Sequence, residues 1–298
     1  MARSGKLPVA VNLSAENTAV VLDSTADLPN AQERHPNWRT VYLYVRFGDD
    51  TFREYADLSP EKFYRRLRTS SEQPRSSQPS PADFEAVYEE LARYERVLCL
   101  LLSEKLSGTA ESARLAAASL GDERVVVIDT GVISGATVIL ADGIQRLLER
   151  GTTDEELDAY VERFKRERGL LFTVETLEYL VRGGRIGKAA GLAGQLLSVK
   201  PILAIDDGEV TPLKRVRGRA KALAELERIF EEGTTDSPAL HVGIGHAEAG
   251  GDAQELVGRI QASRPHASID ILTPLGPVIG THGGPGTIGL FWFQDEEG

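Results

Sequence analysis

Three stretches of small and hydroxyl-bearing residues are placed where chemistry is feasible. Ser76-Ser77-Gln78-Pro79-Ser80 precedes a predicted helix, and Leu106-Ser107-Gly108-Thr109 precedes another. The third is Gly280-Thr281-His282-Gly283-Gly284-Pro285-Gly286. Free N–H groups and a partial positive charge at a helix N-terminus hold an anionic head group well. Ser and Thr hydroxyls beside them both donate and accept. Gly108 would let a ligand approach the backbone, and His282 sits in a glycine-rich loop exposed to whatever enters it. The plainer alternative for Ser80, Ser107 and Thr109 is helix N-capping, and for Ser76 and Ser77 a turn. Arg185, in Gly183-Gly184-Arg185-Ile186-Gly187, is either a cation complementing a helix C-terminus or an anion clamp. Asp23 and Asp27 make a weak Mg²⁺ pair without a third ligand. His35, His241, His246 and His266 are scattered and take no role.

The elements that must position these residues follow from periodicity. Strands are expected at Thr18–Leu22, Val41–Phe47, Val97–Leu102 and Val125–Ile128. Helices are expected from Pro81, at Thr109–Leu120, at Ile133–Arg150, and after a Thr153/Glu156 capping box. Thr69–Ser80 is predicted as a loop. This alternation predicts a mostly parallel sheet with flanking helices. After Gly169 come a strand at Leu170–Val174, helices at Thr176–Arg182 and Ala189–Leu197, and a hairpin of Ile202–Ile205 with Glu209–Leu213 about Asp206-Asp207-Gly208. Helices at Gly218–Glu232 and Gly251–Arg264 and strands at His241–Gly245, Ile269–Leu272 and Thr287–Phe293 complete a mixed sheet. The fold class is therefore α/β in two domains, residues 17–168 and 169–293.

Composition excludes several functions. The 298 residues contain 34 Lys plus Arg against 45 Asp plus Glu, a net charge of −11. That charge argues against non-specific nucleic-acid binding. A lone Cys99 rules out a disulfide framework or a cysteine zinc site and is expected to be inert packing. No run of about 18 apolar residues occurs, so no membrane-spanning helix is expected. Met1–Asn17 reads as a loose tail without a secretory h-region, and the cytoplasm is the expected location. The charge runs at 149–156 and 162–168 and the end at Asp295–Gly298 read as solvated.

Taken together, the motifs resemble the DegV family of bacterial fatty-acid-binding proteins. The matching stretches are Asp23-Ser24-Thr25-Ala26-Asp27-Leu28-Pro29, Ser77-Gln78-Pro79-Ser80, Leu106-Ser107-Gly108-Thr109, Gly183-Gly184-Arg185-Ile186 and Gly276-Pro277-Val278-Ile279-Gly280-Thr281-His282 with Gly284-Pro285-Gly286. They span nearly the whole chain, from about Val20 to Trp292. The resemblance implies a long-chain fatty acid of the palmitate or oleate class, held in an apolar tunnel between two domains. It implies carboxylate contacts from Ser76 or Ser77, Ser107 and His282, with Gly108, Thr109 and Thr281 in the same loops. It further implies a non-catalytic carrier, expected to be a monomer, that presents the carboxylate to a partner fatty acid kinase for acyl phosphate formation. Arg185 would lie close to the head group and, with Arg182 and Lys188, would engage that kinase. No cofactor or metal is expected. Two rival readings are a Ser–His acyl hydrolase using Ser77 or Ser107 with His282, and a phosphotransfer subunit like those of dihydroxyacetone kinases. The first lacks the Gly-x-Ser-x-Gly elbow; the second would need no apolar tunnel.

Overall fold

A computed structural model describes residues 12–192 and 199–295. The first half builds a parallel sheet. Its strands are β1 (Thr18–Asp23), β2 (Trp38–Val41), β6 (Arg96–Leu101) and β7 (Val125–Asp129), in the order β2-β1-β6-β7. Between β2 and β6 the chain makes a small antiparallel sheet, β4-β3-β5, from β3 (Tyr44–Phe47), β4 (Asp50–Arg53) and β5 (Arg75–Ser77). The second half forms a mixed six-stranded sheet, β10-β9-β8-β13-β11-β12. Its strands are β8 (Gly169–Thr173), β9 (Val199–Asp206), β10 (Glu209–Arg217), β11 (Leu240–His246), β12 (Ser268–Pro274) and β13 (Ile288–Gln294). Only β11 and β12 run parallel in it. Asp207 and Gly208, both at positive φ, close the expected β9–β10 hairpin with a primed turn that matches strand twist.

The helices are α1 (Ala31–Arg34), α2 (Pro60–Thr69), α3 (Pro81–Glu90), α4 (Thr109–Leu120), α5 (Gly135–Arg150), α6 (Asp154–Glu167), α7 (Glu178–Arg182), α8 (Arg219–Gly233), α9 (Gly250–Ser263) and α10 (Pro277–Gly283). Capping boxes start α3 and α6: Ser80 with Asp83, and Thr153 with Glu156. The central piece is α5, which is buried on nearly every face, as an apolar helix without a solvent stripe must be. It touches β1 and β6 of the parallel sheet and β11, β12 and β13 of the mixed one. One apolar cluster therefore runs from Leu13 through Val138, Leu140 and Ile144 to Phe293. The buried polar side chains Asp142 and Gln145 of α5 are paired: Arg34 grips Asp142 with two hydrogen bonds (2.8 and 2.6 Å), and Trp38 Nε1 donates to Gln145 at 2.9 Å. No helix among the described residues is long and apolar enough to cross a membrane.

Several expectations need correction. The run Val41–Phe47 is two strands, not one. Val41 pairs with Asp23 in the parallel sheet, whereas Tyr44 pairs with Arg53 and Ser77 in the small one. A run of β-branched and aromatic residues carries no mark of such a change of sheet. The 69–80 segment is not wholly loop, since Arg75–Ser77 pairs with β3. The segment 280–286 is not wholly loop either, since α10 extends to Gly283. The tail expected at Met1–Asn17 is anchored from Leu13, which is fully buried and exchanges two backbone hydrogen bonds with Thr152; residues 1–11 lie outside the described residues. Asp295 is no solvated terminus. It is buried and accepts from Arg146, Tyr160 and Arg163 at 2.6–2.7 Å, and these partners hold its carboxyl below the usual range. Arg168 leaves the solvated face assigned to it and donates to the carbonyls of Gly131 and Ile205. Gly187–Leu192 is a 3₁₀ stretch, and the rest of the helix expected at Ala189–Leu197 lies outside the described residues.

Candidate ligand-binding site

His282 reaches its position through α10. Pro277 fixes the first turn, and the helix packs on α2, β3 and β5. The side chain at its far end then meets β5. Ser76 Oγ lies 2.7 Å from His282 Nε2, across 206 residues of sequence. The imidazole is enclosed by α7, and a Cβ on Gly183 would overlap its Nδ1. Glycine is required at 183 by this close approach, since its backbone is ordinary right-handed helix.

Burial, reinforced by the positive charge of Arg185, lowers the His282 pKa to about 4, so the ring is neutral at pH 7. Its Nδ1 is buried and without a partner among the described residues. An orphaned acceptor costs less than an orphaned N–H. The favoured tautomer therefore carries its proton on Nε2 and donates it to Ser76 Oγ. The Ser76 hydroxyl proton is then free to donate to a ligand.

That ligand space is a cavity of about 330 Å³, within the size range of sites that enclose small organic molecules. Ser76, Ser77, Ser107, Arg185 and His282 sit on its wall. The remainder is mostly aliphatic and aromatic, including Leu102, Leu170, Phe172, Ile205 and Phe291. A second cavity of about 480 Å³ shares Ser76, Arg185 and His282 with the first and is also lined by Gln73, Arg75 and Arg182. The serine–histidine pair is thus common to the walls of an apolar chamber and a polar vestibule. Arg185 is exposed and donates to the carbonyls of Leu106 (3.0 Å) and Gly183 (2.7 Å), which ties the α4 and α7 loops together. Arg182 and Lys188 pair with Glu178 and Glu209.

Three residues expected in these loops stand back from the apolar cavity. Thr109 is fully buried, its hydroxyl 2.9 Å from that of Ser107. Gly108 does not open the backbone to a ligand, because the Gln78 side chain occupies the space over it and donates to its carbonyl. Thr281 lines the polar vestibule, but its hydroxyl donates to the Pro277 carbonyl.

A group the motifs did not reveal lies behind the cavity wall. Asp27 accepts from Ser134 Oγ (2.5 Å), Tyr55 Oη (2.8 Å) and Gly276 N (2.8 Å). Glu54 accepts from Ser24 Oγ (2.6 Å) and Val278 N (2.7 Å). The two carboxyls therefore cap the N-terminus of α10, the helix that carries His282 at its other end. Ser134 itself lines the cavity and is held at φ 63°, ψ −151°, a region costly for any residue but glycine. Burial pushes Asp27 up to about 7; burial and the neighbouring Asp27 push Glu54 up to about 8. Asp23 accepts from Thr25 and from Leu102 N. With these donors on Asp23 and Asp27, the Mg²⁺ reading fails, and no metal-binding cluster occurs among the described residues. Asp27 lies in a motif the sequence displayed, but Glu54 gives no local signal because its partner Val278 is 224 residues away.

The Ser76–His282 pair has the spacing of a nucleophile and its base. However, a base with a pKa near 4 and no acid on Nδ1 is poorly matched to proton abstraction at neutral pH. The arrangement instead suits a non-covalent binder of an amphiphile: a hydroxyl donor braced by a neutral imidazole at one end, an apolar chamber behind them.

The chain belongs to the DegV family: the family model described as "Uncharacterised protein, DegV family" matches residues 17–295. The fatty acid-binding protein of Thermotoga maritima is 38% identical over 91% of this chain and 96% of its own length. A DegV family protein from Thermus thermophilus, whose structure is described by its fatty acid binding, superposes with a TM-score of 0.87 at 35% identity, covering 93% of this chain and 99% of that one. DegV of Bacillus subtilis, described as a fatty acid binding protein, superposes at 0.83 with 30% identity and covers 93% and 99%.

Proposed function

We propose that the cavity holds a long-chain fatty acid of the palmitate or oleate class, with its carboxylate at Ser76, Ser77, Ser107 and His282. The observation that carries this reading is the neutral Ser76–His282 pair at one end of an otherwise apolar chamber. A buried carboxylate must be hydrogen-bonded or it will take up a proton. Each methylene buried behind it contributes about 0.8 kcal/mol, so the tail dominates affinity. The relatives described as fatty acid-binding proteins support the same ligand class. Residues 17–168 and 169–293 act as two domains that close over the acyl chain.

In the same reading the protein is a carrier rather than an enzyme. It presents the carboxylate through the polar vestibule to a partner fatty acid kinase. A carboxylate oxygen then forms a bond to the transferred phosphorus as the bond to the donor held by the kinase breaks. Arg185 stands at that opening. A three-carbon ketone of the dihydroxyacetone kind would leave the apolar chamber unfilled.

The test is organic extraction of the purified protein followed by mass spectrometry, with uptake of added palmitate and oleate by the stripped protein. Co-purifying fatty acid or saturable uptake is expected. Absence of both would overturn the assignment.

A further inference from the structure

The face of the mixed sheet that lines the chamber has an uneven relief. Register sets Phe291 beside Gly243 on one side and Leu170 on the other, and Gly289 beside Gly245 and Phe172. Three of the positions around Phe291 therefore have no side chain. A fourth glycine, Gly135, faces it from the start of α5. A Cβ on Gly289 would stand 2.8 Å from the Phe291 ring, one on Gly135 or Gly243 3.1 Å from it, and one on Gly245 3.4 Å. The ring lies across bare backbone and fills space that several side chains would otherwise take. It is also remote from the polar end. Thr287 lines the chamber just after α10, and β13 then runs past Gly289 to Phe291, on the order of 14 Å from Thr287 at the rise of an extended strand.

We infer that Phe291, seated in this glycine slot, is the stop that sets the length of acyl chain the chamber accepts. The inference rests on the fatty-acid reading above and adds a specificity-determining residue to it. A chain whose carboxylate sits at Ser76 and His282 runs along β13 and ends against the ring. Shortening the side chain opens the slot, because the four glycines contribute no side chain to it, and Ile271, Ile139 and Leu275 border it. Adding a methyl at Gly289 forces the ring to shift, because Gly135 confines it from the opposite side.

The experiment is competitive uptake of a mixture of saturated acids of fourteen to twenty carbons by stripped wild type, F291L, F291A and G289A, read by mass spectrometry. F291L and F291A are expected to raise the ratio of twenty- to sixteen-carbon acid by about tenfold, the effect of admitting roughly two further methylenes. G289A is expected to move the profile toward shorter chains. F291L tests the idea even if F291A does not fold. A wild type that takes up no acid overturns the ligand assignment itself. A loaded wild type whose profile is unchanged in folded F291L and G289A overturns only the chain-length stop.

Discussion

At the scale of single residues, His282 is a neutral hydrogen-bond donor rather than a cation or a base. Its role in holding ligand should be modest and its role in presenting the carboxylate large. His282→Ala is expected to weaken fatty-acid binding by about 1–3 kcal/mol, the cost of one lost donor at a buried acceptor, because the tail contacts remain. Acyl phosphate formation by a cognate kinase should fall considerably further. Parallel measurement of dissociation constant and initial rate checks this; equal losses in both would contradict the division. Gly183→Ala is expected to reproduce the His282→Ala phenotype without touching a donor. Its methyl would occupy the space of Nδ1 and drive the ring off Ser76, while alanine suits the local helical backbone.

At the scale of elements, α10 is held at both ends. Asp27 and Glu54 accept from its first turn, and Ser76 meets its last side chain. The acids carry a pH signature. Their folded pKa values, about 7 and about 8, are raised above unfolded values near 4. A raised acid binds its proton more tightly in the folded state. The stability this contributes is full below about pH 4 and is lost as pH rises through 7 to 8. His282 runs the opposite way: its depressed pKa costs stability only as pH falls from about 6.5 toward 4. The checking measurement is urea unfolding between about pH 5 and pH 9. Glu54→Gln should flatten the alkaline part of the wild-type decline, since Gln keeps an acceptor for Val278 N without a charge to bury. Glu54→Ala should cost about 1–3 kcal/mol near pH 5, because Ser24 and Val278 N lose their acceptor, and the cost should shrink as pH rises toward 8, because alanine leaves no charge to bury. A Glu54→Gln profile as steep as wild type would show that the titrating group lies elsewhere.

At the scale of the whole molecule, the chamber takes walls from both halves of the chain, from the small antiparallel sheet and the loop after β6 on one side and the mixed sheet on the other, and α5 joins the two larger sheets in one apolar cluster. A ligand there should stabilise the molecule as a unit. Saturation at about a hundred times the dissociation constant adds roughly 2.7 kcal/mol. For a chain of this size that is a rise of several degrees in melting temperature. Calorimetry of stripped and reloaded protein checks this. One transition shifting upward is expected; two transitions, with only one moving, would mean that the sheets unfold independently.

Much of this architecture was legible in the chain itself. Capping residues and apolar periodicity are local, so Ser80 with Asp83, Thr153 with Glu156, the Asp207-Gly208 turn and most strands could be read directly. The serine and histidine motifs also marked segments that the fold brings to one cavity. Three things were decided only by the tertiary structure. Arg75–Ser77 is a strand because β3 offers it hydrogen bonds, not because Ser and Arg favour extended backbone. Ser76, rather than Ser77, meets His282 because alternate residues of a strand point to opposite faces. Asp27 and Glu54 became the caps of α10 because folding brought residues more than 220 positions apart into a site that excludes water. Local sequence fixes dihedral preferences and periodicity. Which hydroxyl faces which imidazole, and which carboxyl loses its water, depends on contacts between segments that carry no record of each other.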